Sequence, residues 1–303
     1  MEKPYEDINL IEFQSKYKTE EDCEKRLFEL RWPNGYECPR CGNKEYIYLP
    51  KRKLYECKNK DCYYQASVTA GTVMHRTRTP LLKWFWAIYL LVTDKRGLSA
   101  LALSKKLAIS TWVAWTMMHK IRKGMSDRDT DYKLAGIIEM DDSYFGGTRE
   151  DDKRGRGTGK TAVLIEVATN DDAMNYAKMT VIDAVRGENI LNTINGNVQP
   201  KQVFKTDGFS AYNIINTTDH QHQKKVVKGK KAHTVLKWVH ILASNAKSFL
   251  DGTYHVTGKK HLQRYLDEFC YRLNRRKWEG QLFDRLVTAC ACSPGVTWAE
   301  LTS

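Results

Sequence analysis

Four cysteines place the strongest constraint on this chain. Cys38-Pro-Arg-Cys41-Gly and Cys57-Lys-Asn-Lys-Asp-Cys62 form a C-x2-C pair and a C-x4-C pair with 15 residues between them. Each pair can sit on a knuckle turn, and two knuckles present four thiolates tetrahedrally, as zinc prefers. Arg40, Lys44, Lys51, Arg52, Lys53 and Lys58 surround the pairs. They would lower the thiol pKa values and leave a basic surface. A segment of about 40 residues buries too little core to fold alone, so one structural Zn2+ would supply folding energy. The competing reading is four unrelated free thiols. The other cysteines, Cys23, Cys270, Cys290 and Cys292, are scattered, and no disulfide framework is expected.

The chain has 303 residues and carries 49 Lys+Arg against 36 Asp+Glu, a net charge of +13. That excess suggests a polyanionic partner, nucleic acid or an anionic surface. With 42 % hydrophobic residues and few Gly and Pro, it is not a disordered or collagen-like composition. No apolar run approaches the roughly 20 residues that span a bilayer. The N-terminus is acidic and polar, unlike a signal peptide. A soluble, cytoplasmic protein with no membrane partner is the expectation.

The hydrophobic period divides the chain. Residues 1–30 form an N-terminal helical segment, residues 31–75 a zinc ribbon, residues 76–130 a helical DNA-binding region, residues 131–280 a mixed catalytic domain and residues 281–303 a C-terminal tail. Short β-branched or aromatic runs predict strands over 134–140, 162–168, 178–183 and 202–205. Helices are predicted over 20–30, 188–194 and, from residue 234 onward, through 262–273. No internal repeat is present.

Within residues 98–123, two helices joined at Ala108-Ile109-Ser110 fit a helix-turn-helix. Leu101, Leu103 and Leu107 face inward on the first helix, and Ser110 can cap the second. Val113, Trp115, Met118 and Ile121 make its apolar stripe. Lys105, Lys106, Lys120, Arg122 and Lys123 lie outside that stripe and are expected to meet DNA. An ordinary helical hairpin with a solvated basic face is the alternative.

Two apolar runs end in acids. Ile137-Ile138-Glu139-Met140 leads to Asp141 and Asp142, and Val203-Phe204-Lys205-Thr206 leads to Asp207. Clustered carboxylates repel, and a divalent cation relieves the repulsion. Carboxylates from adjacent strands sharing Mg2+ or Mn2+ are the core of two-metal phosphoryl transfer. Solvated turn residues are the plainer alternative. Further on, His240, Ser244 and Lys247 share one face of a helix. His240 could ligate a metal, and Lys247 could hold a phosphate.

Taken in order, these features resemble the insertion-sequence "fifteen-ninety-five" family of bacterial and archaeal DDE-type transposases with an ISXO-like domain. The resemblance runs from about residue 20 to about residue 280. It is carried by Glu139-x-Asp141-Asp-Ser-Tyr-Phe-Gly-Gly, Arg154-Gly-Arg156-Gly-x-Gly-Lys160-Thr, Thr206-Asp207-Gly-x-x-x-Tyr212, Gly252-Thr-Tyr-His255 and Lys260 to Arg276. It implies a multi-domain α+β chain: zinc ribbon, helix-turn-helix, then an RNase H-like α/β catalytic domain with a mixed sheet. It also implies Asp141 and Asp207 as the first two catalytic acids. The third is Glu in many members, seven residues before a Lys. Here Lys247 matches that Lys and His240 stands where the Glu would be; Asn245 is the other candidate.

Gly155 to Thr161 imitates a phosphate loop but has three residues between its outer glycines where four are needed. Arg154, Arg156 and Lys160 in this stretch, Lys230 and Lys231 further on, and Arg275 and Arg276 near the end are expected phosphate contacts. The expected activity is binding of terminal inverted repeats, metal-dependent cleavage and strand transfer on double-stranded DNA by at least a homodimer. The rivals are a catalytically inactive DNA-binding regulator and an RNase H-like nuclease that does not join.

Overall fold

The computed structural model describes residues 5–146, 159–170, 173–225, 235–254 and 258–302. The chain divides into two compact units, residues 1–128 with 278–303, and residues 129–277.

The first unit opens with helices α1 (Leu10–Lys16) and α2 (Glu20–Arg31), each begun by a capping box, Asn9 with Glu12 and Thr19 with Asp22. Strands β1 (Tyr46–Leu49), β2 (Leu54–Cys57) and β3 (Gln65–Ala66) follow as an antiparallel sheet in that order. Its core is aromatic: Phe28, Trp32, Tyr36, Tyr46 and Tyr55 pack ring against ring. Helix α3 (Leu81–Thr93) is apolar on nearly every side and buried. Its own N-cap, Pro80, offers no side chain, and the Glu20 carboxylate accepts from the Leu81 and Leu82 amides at 2.7 and 3.0 Å instead.

Helices α4 (Ala100–Leu107) and α5 (Thr111–Thr130) form the expected pair. Ser99 caps α4, Ala108 takes the left-handed conformation (φ 49°) that ends it, and the Ser110 hydroxyl accepts from the Val113 amide. Leu103 is buried as expected, but Leu101 is 55 % exposed. The inward stripe of α5 is Ala114, Met117, Met118, Ile121 and Met125.

The second unit is built on a five-stranded sheet. Strands β4 (Ile137–Phe145), β5 (Thr161–Asn170) and β6 (Ala173–Ile182) run antiparallel. Helix α6 (Gly187–Asn197) then crosses to β7 (Val203–Thr206), which pairs parallel with β4. A 3-10 segment (Ser210–Thr217) leads to β8 (Gln221–Lys224), parallel with β7. The order is β6-β5-β4-β7-β8. Three antiparallel strands followed by two parallel ones on the far side of the first is the RNase H-like arrangement. One face packs against α7 (Lys237–Thr253) and α8 (Lys259–Asn274) through Val163, Ile165, Val167, Ala246, Leu250 and Leu266. The other face packs against α6 and the 3-10 segment through Ile138, Met140, Leu164, Ile190, Ile194 and Tyr212.

The segment expected as a tail returns to the first unit. Helix α9 (Leu282–Cys292) buries Phe283, Leu286 and Val287, and the Phe283 ring stands edge-on to Phe13 and Phe85. A short α10 (Trp298–Thr302) ends the chain, with Trp298 4.2 Å from the Trp112 ring. Among the described residues no helix is long and apolar enough to cross a membrane.

Candidate active site and metal centre

The four ribbon thiols converge. Cys38 and Cys62 sulfurs lie 3.8 Å apart, Cys41 and Cys57 sulfurs 3.6 Å apart, and all four fall within 4.8 Å of one another. A tetrahedron with Zn–S bonds of about 2.3 Å has edges of about 3.8 Å. The knuckles are visible in the backbone: Gly42, at φ 74°, donates to the Cys38 carbonyl, and Tyr63, at φ 45°, donates to the Asn59 carbonyl. The Asn59 amide donates to the Cys57 sulfur at 3.4 Å. Burial raises the Cys38 thiol pKa, but the Arg40 and Cys41 amides outweigh it and bring it to about 7. Burial raises Cys62 to about 11.

The acids come together through register. β4 and β7 pair as Ile137↔Val203, Ile138↔Phe204 and Glu139↔Lys205. Asp141 and Asp207 each follow the last of these pairs by two residues, on neighbouring parallel strands. The expected strand tip is corrected in one respect. β4 does not end at the acids but continues to Phe145, because β5 still pairs with it there (Asp141↔Ile165). What ends at Glu139 is the pairing with β7, and the opening holds the two carboxylates.

Each acid has one oxygen held by nearby backbone. Asp141 Oδ1 accepts from the Asp142 amide at 2.9 Å, and Asp207 Oδ1 accepts from the Phe209 amide at 2.9 Å. The Tyr212 hydroxyl donates to Asp142 Oδ1 at 3.1 Å and lies 3.5 Å from Asp141 Oδ1. The Tyr212 side chain is wholly buried. Burial, then Asp142, Asp141 and Asp207 in turn, drive its phenol pKa far above the ordinary range. The phenol is therefore a fixed neutral donor among three carboxylates. Neither Tyr212 nor Asp142 stood out as a site residue in the sequence. The signal was there in Asp207-Gly-x-x-x-Tyr212, a phenol five residues after the second acid.

Glu139 was also missed. Strand alternation puts it on the face of Asp141, and its carboxylate accepts from the Trp238 and Val239 amides at 2.9 and 3.4 Å. It thereby caps α7, whose own N-cap, Leu236, has no capping side chain. The helix that carries the third position is tied to the strand that carries the first acid.

Along α7, His240 and Lys247 share a flank, whereas Asn245 is turned about 140° from His240. Asn245 shares its side with Phe249, which packs on Phe269 of α8. Lys247 lies 5.3 Å from the Phe145 ring centroid. Burial, then Lys160, lower its pKa, so these two expected phosphate contacts are neighbours. His240 and Asn245 are both exposed. Among the described residues, the thiols are the one set in which three or more ligand atoms converge within 4.8 Å; the carboxylates have no third ligand drawn in to that distance.

Several expected DNA contacts need correction. Arg122 is 1 % exposed, because it falls on the buried side of α5 next to Ile121. Lys120 is half-buried, which lowers its pKa, and Lys123 pairs with Asp127 one turn on. Lys105 and Lys106 are exposed. Arg275 is 5 % exposed, bonded to Asp129 at 2.6 Å and stacked on Tyr271 at 3.7 Å. Arg276 donates to the Leu273 and Met174 carbonyls. Both arginines close the unit internally. Arg154, Arg156, Lys230, Lys231 and His255 lie outside the described residues.

Residues 133–274 match the ISXO2-like transposase domain, and residues 18–65 match the transposase zinc-ribbon domain of the same IS1595 group. The chain thus carries the zinc-ribbon and transposase domains of the IS1595 group. A protein of Halobacterium salinarum, described as an uncharacterized protein in transposable element ISH50, is 25 % identical over 218 residues, 67 % of this chain and 72 % of that one. Among solved structures, a chain of a simian T-cell lymphotropic virus intasome in complex with PP2A regulatory subunit B56 gamma is similar at 13 % identity and a TM-score of 0.31. The match covers 59 % of this chain and 66 % of that one, so the chain spans just under two thirds of that protein's length. A pre-cleavage Mos1 transpososome chain is similar at 10 % identity and a TM-score of 0.27, covering 67 % and 78 %.

Proposed function

We propose that this IS1595-family transposase binds the terminal inverted repeats of its element, cleaves there and joins the freed 3′-hydroxyls to target DNA, with Asp141 and Asp207 as the acids of the reaction. The observation that supports this reading is the parallel β4–β7 pairing, whose last pair, Glu139↔Lys205, stands two residues before each acid. The donor set fits hard cations: carboxylate oxygens, each side chain already oriented by a main-chain amide, with no thiol among them. Mg2+ or Mn2+, when bound, makes an attacking water or hydroxyl more acidic and neutralises charge on the phosphate. Asp141 and Asp207 would hold it. Lys160 and Lys247 would grip flanking phosphates. His240 would complete the set from α7, since it lies on the flank with Lys247 while Asn245 is turned about 140° from it. Cleavage and joining are both in-line phosphoryl transfers, so one site serves both. Joining two ends together needs two sites, hence at least a dimer on double-stranded DNA. One Zn2+ on the four thiols would fold the ribbon, whose basic surface, with Lys105 and Lys106, would meet the ends.

A second reading rests on position 240. Histidine in place of an acid, with no third ligand atom converged within 4.8 Å among the described residues, favours a DNA-binding regulator without catalysis. Purified protein, labelled element ends and Mg2+ or Mn2+ separate the two. A transposase yields cleaved and strand-transfer products, and Asp141→Asn or Asp207→Asn removes both while end binding persists. Retarded but uncut DNA with wild-type protein supports the regulator.

A further inference from the structure

Beyond the acids themselves, the Tyr212 phenol has close polar ties to them. Tyr212 is wholly buried between the sheet and α6, yet its hydroxyl emerges among Asp142, Asp141 and Asp207. Like charges at such separations repel, and repulsion drives side chains apart or draws in protons. A hydroxyl that donates into the cluster offsets this. Its single proton points to Asp142, which leaves Asp141 and Asp207 to face a metal. Asp142 is the residue whose amide in turn holds Asp141 Oδ1. The chain of contacts runs from Tyr212 to the Asp142 carboxylate, through the Asp142 backbone, to Asp141.

We infer that Tyr212 and Asp142 are paired positioning residues that hold Asp141 in its metal-binding orientation, an inference that rests on the reading of Asp141 and Asp207 as metal ligands. The pair acts through Asp141 and touches no substrate. Partners one step behind a metal ligand typically change metal affinity by 10–100-fold when removed.

The test is Mn2+ binding to the zinc-loaded full chain, followed by electron paramagnetic resonance, with thermal unfolding measured alongside. Tyr212→Phe keeps the ring and its packing but removes the hydroxyl; it should weaken Mn2+ binding about tenfold. Asp142→Ala, which removes the acceptor oxygen, should weaken it to a similar degree. The double variant should lose no more than the stronger single one, because both remove the same link. Asp141→Asn should abolish the site. Mn2+ affinity unchanged in both single variants, with wild-type binding intact, overturns the positioning role and leaves the catalytic reading standing. Additive losses in the double variant also overturn it. Wild-type protein whose Mn2+ binding is insensitive to Asp141→Asn overturns the catalytic reading and this inference together. Should Tyr212→Phe fail to fold, Asp142→Ala decides alone, since that side chain is only half-buried. A purely structural role would lower the melting temperature without moving the Mn2+ affinity of the folded protein, and that result refutes the inference as well.

Discussion

Glu139 and Glu20 do the same work in different units. Each lies in one element and caps a helix far along the chain that has no capping side chain of its own. An uncapped helix start leaves amides without partners, and a cap is worth about 1 kcal/mol. Glu139→Ala should therefore lower stability by about 1 kcal/mol in urea unfolding, and Glu139→Gln, which keeps an acceptor oxygen, by less. Equal losses would mean that the charge, not the hydrogen bond, holds α7. Glu166 offers a pH test. It is wholly buried on β5, and burial pushes its carboxyl up to about 8 against the opposing pull of the Asn197 amide and of Lys178. In the unfolded chain it titrates near its ordinary 4.5. Between those values the folded protein keeps a proton that the unfolded chain has lost, so stability falls as pH rises through that window. Glu166→Gln should flatten this dependence: its gain over wild type in urea midpoint should be larger at pH 8 than at pH 5. A gain independent of pH would show that Glu166 is not the group responsible. Roles of this kind are hard to read in a sequence, because an acid inside an apolar strand looks the same whether it caps, ligates or is buried protonated.

At the scale of elements, the ribbon is where local sequence and structure agree most closely. C-x2-C and C-x4-C spacings fix knuckles whose geometry needs nothing from the rest of the chain, and the thiols meet at tetrahedral separations. Stripping the metal with a chelator should disorder residues 31–75 while the five-stranded sheet persists. Proteolysis confined to the ribbon, together with loss of about one zinc per chain by elemental analysis, is the expected result; a ribbon equally resistant without metal would refute metal-driven folding. The strands that alternate or run apolar, β5 and β7, were legible. β8 was not. Gln221-His222-Gln223-Lys224 is a polar, largely exposed edge strand, held by its parallel pairing with β7 rather than by any burial pattern of its own. The basic face expected of α5 failed for a related reason. A helix of 20 residues turns through more than five turns, and which side is inward depends on what packs against it. Arg122 lies on that side.

For the whole molecule, chain order misleads at the C-terminus. Residues 281–303 read as a C-terminal tail, yet α9 carries Phe283, Leu286 and Val287 into the core of the N-terminal unit. The buried Asp284 carboxylate there bonds Arg26 at 2.6 Å. Deleting residues 282–303 should therefore disrupt the N-terminal unit rather than trim an end. Loss of one buried Phe alone costs about 3–5 kcal/mol. Insoluble or protease-sensitive protein is the expected outcome; a well-folded truncation with unchanged melting would contradict it. The sequence by itself determined what short-range chemistry can specify: the zinc ribbon, the family, the helices with strong apolar stripes and the two aspartates. Only the tertiary structure decided which residues meet. Parallel pairing set the strands that lead to Asp141 and Asp207 side by side, the 3-10 segment after β7 carried Tyr212 to Asp141 and Asp142, and packing turned Arg122 and Arg275 inward. Those outcomes depend on pairings between residues tens of positions apart, which no local pattern encodes.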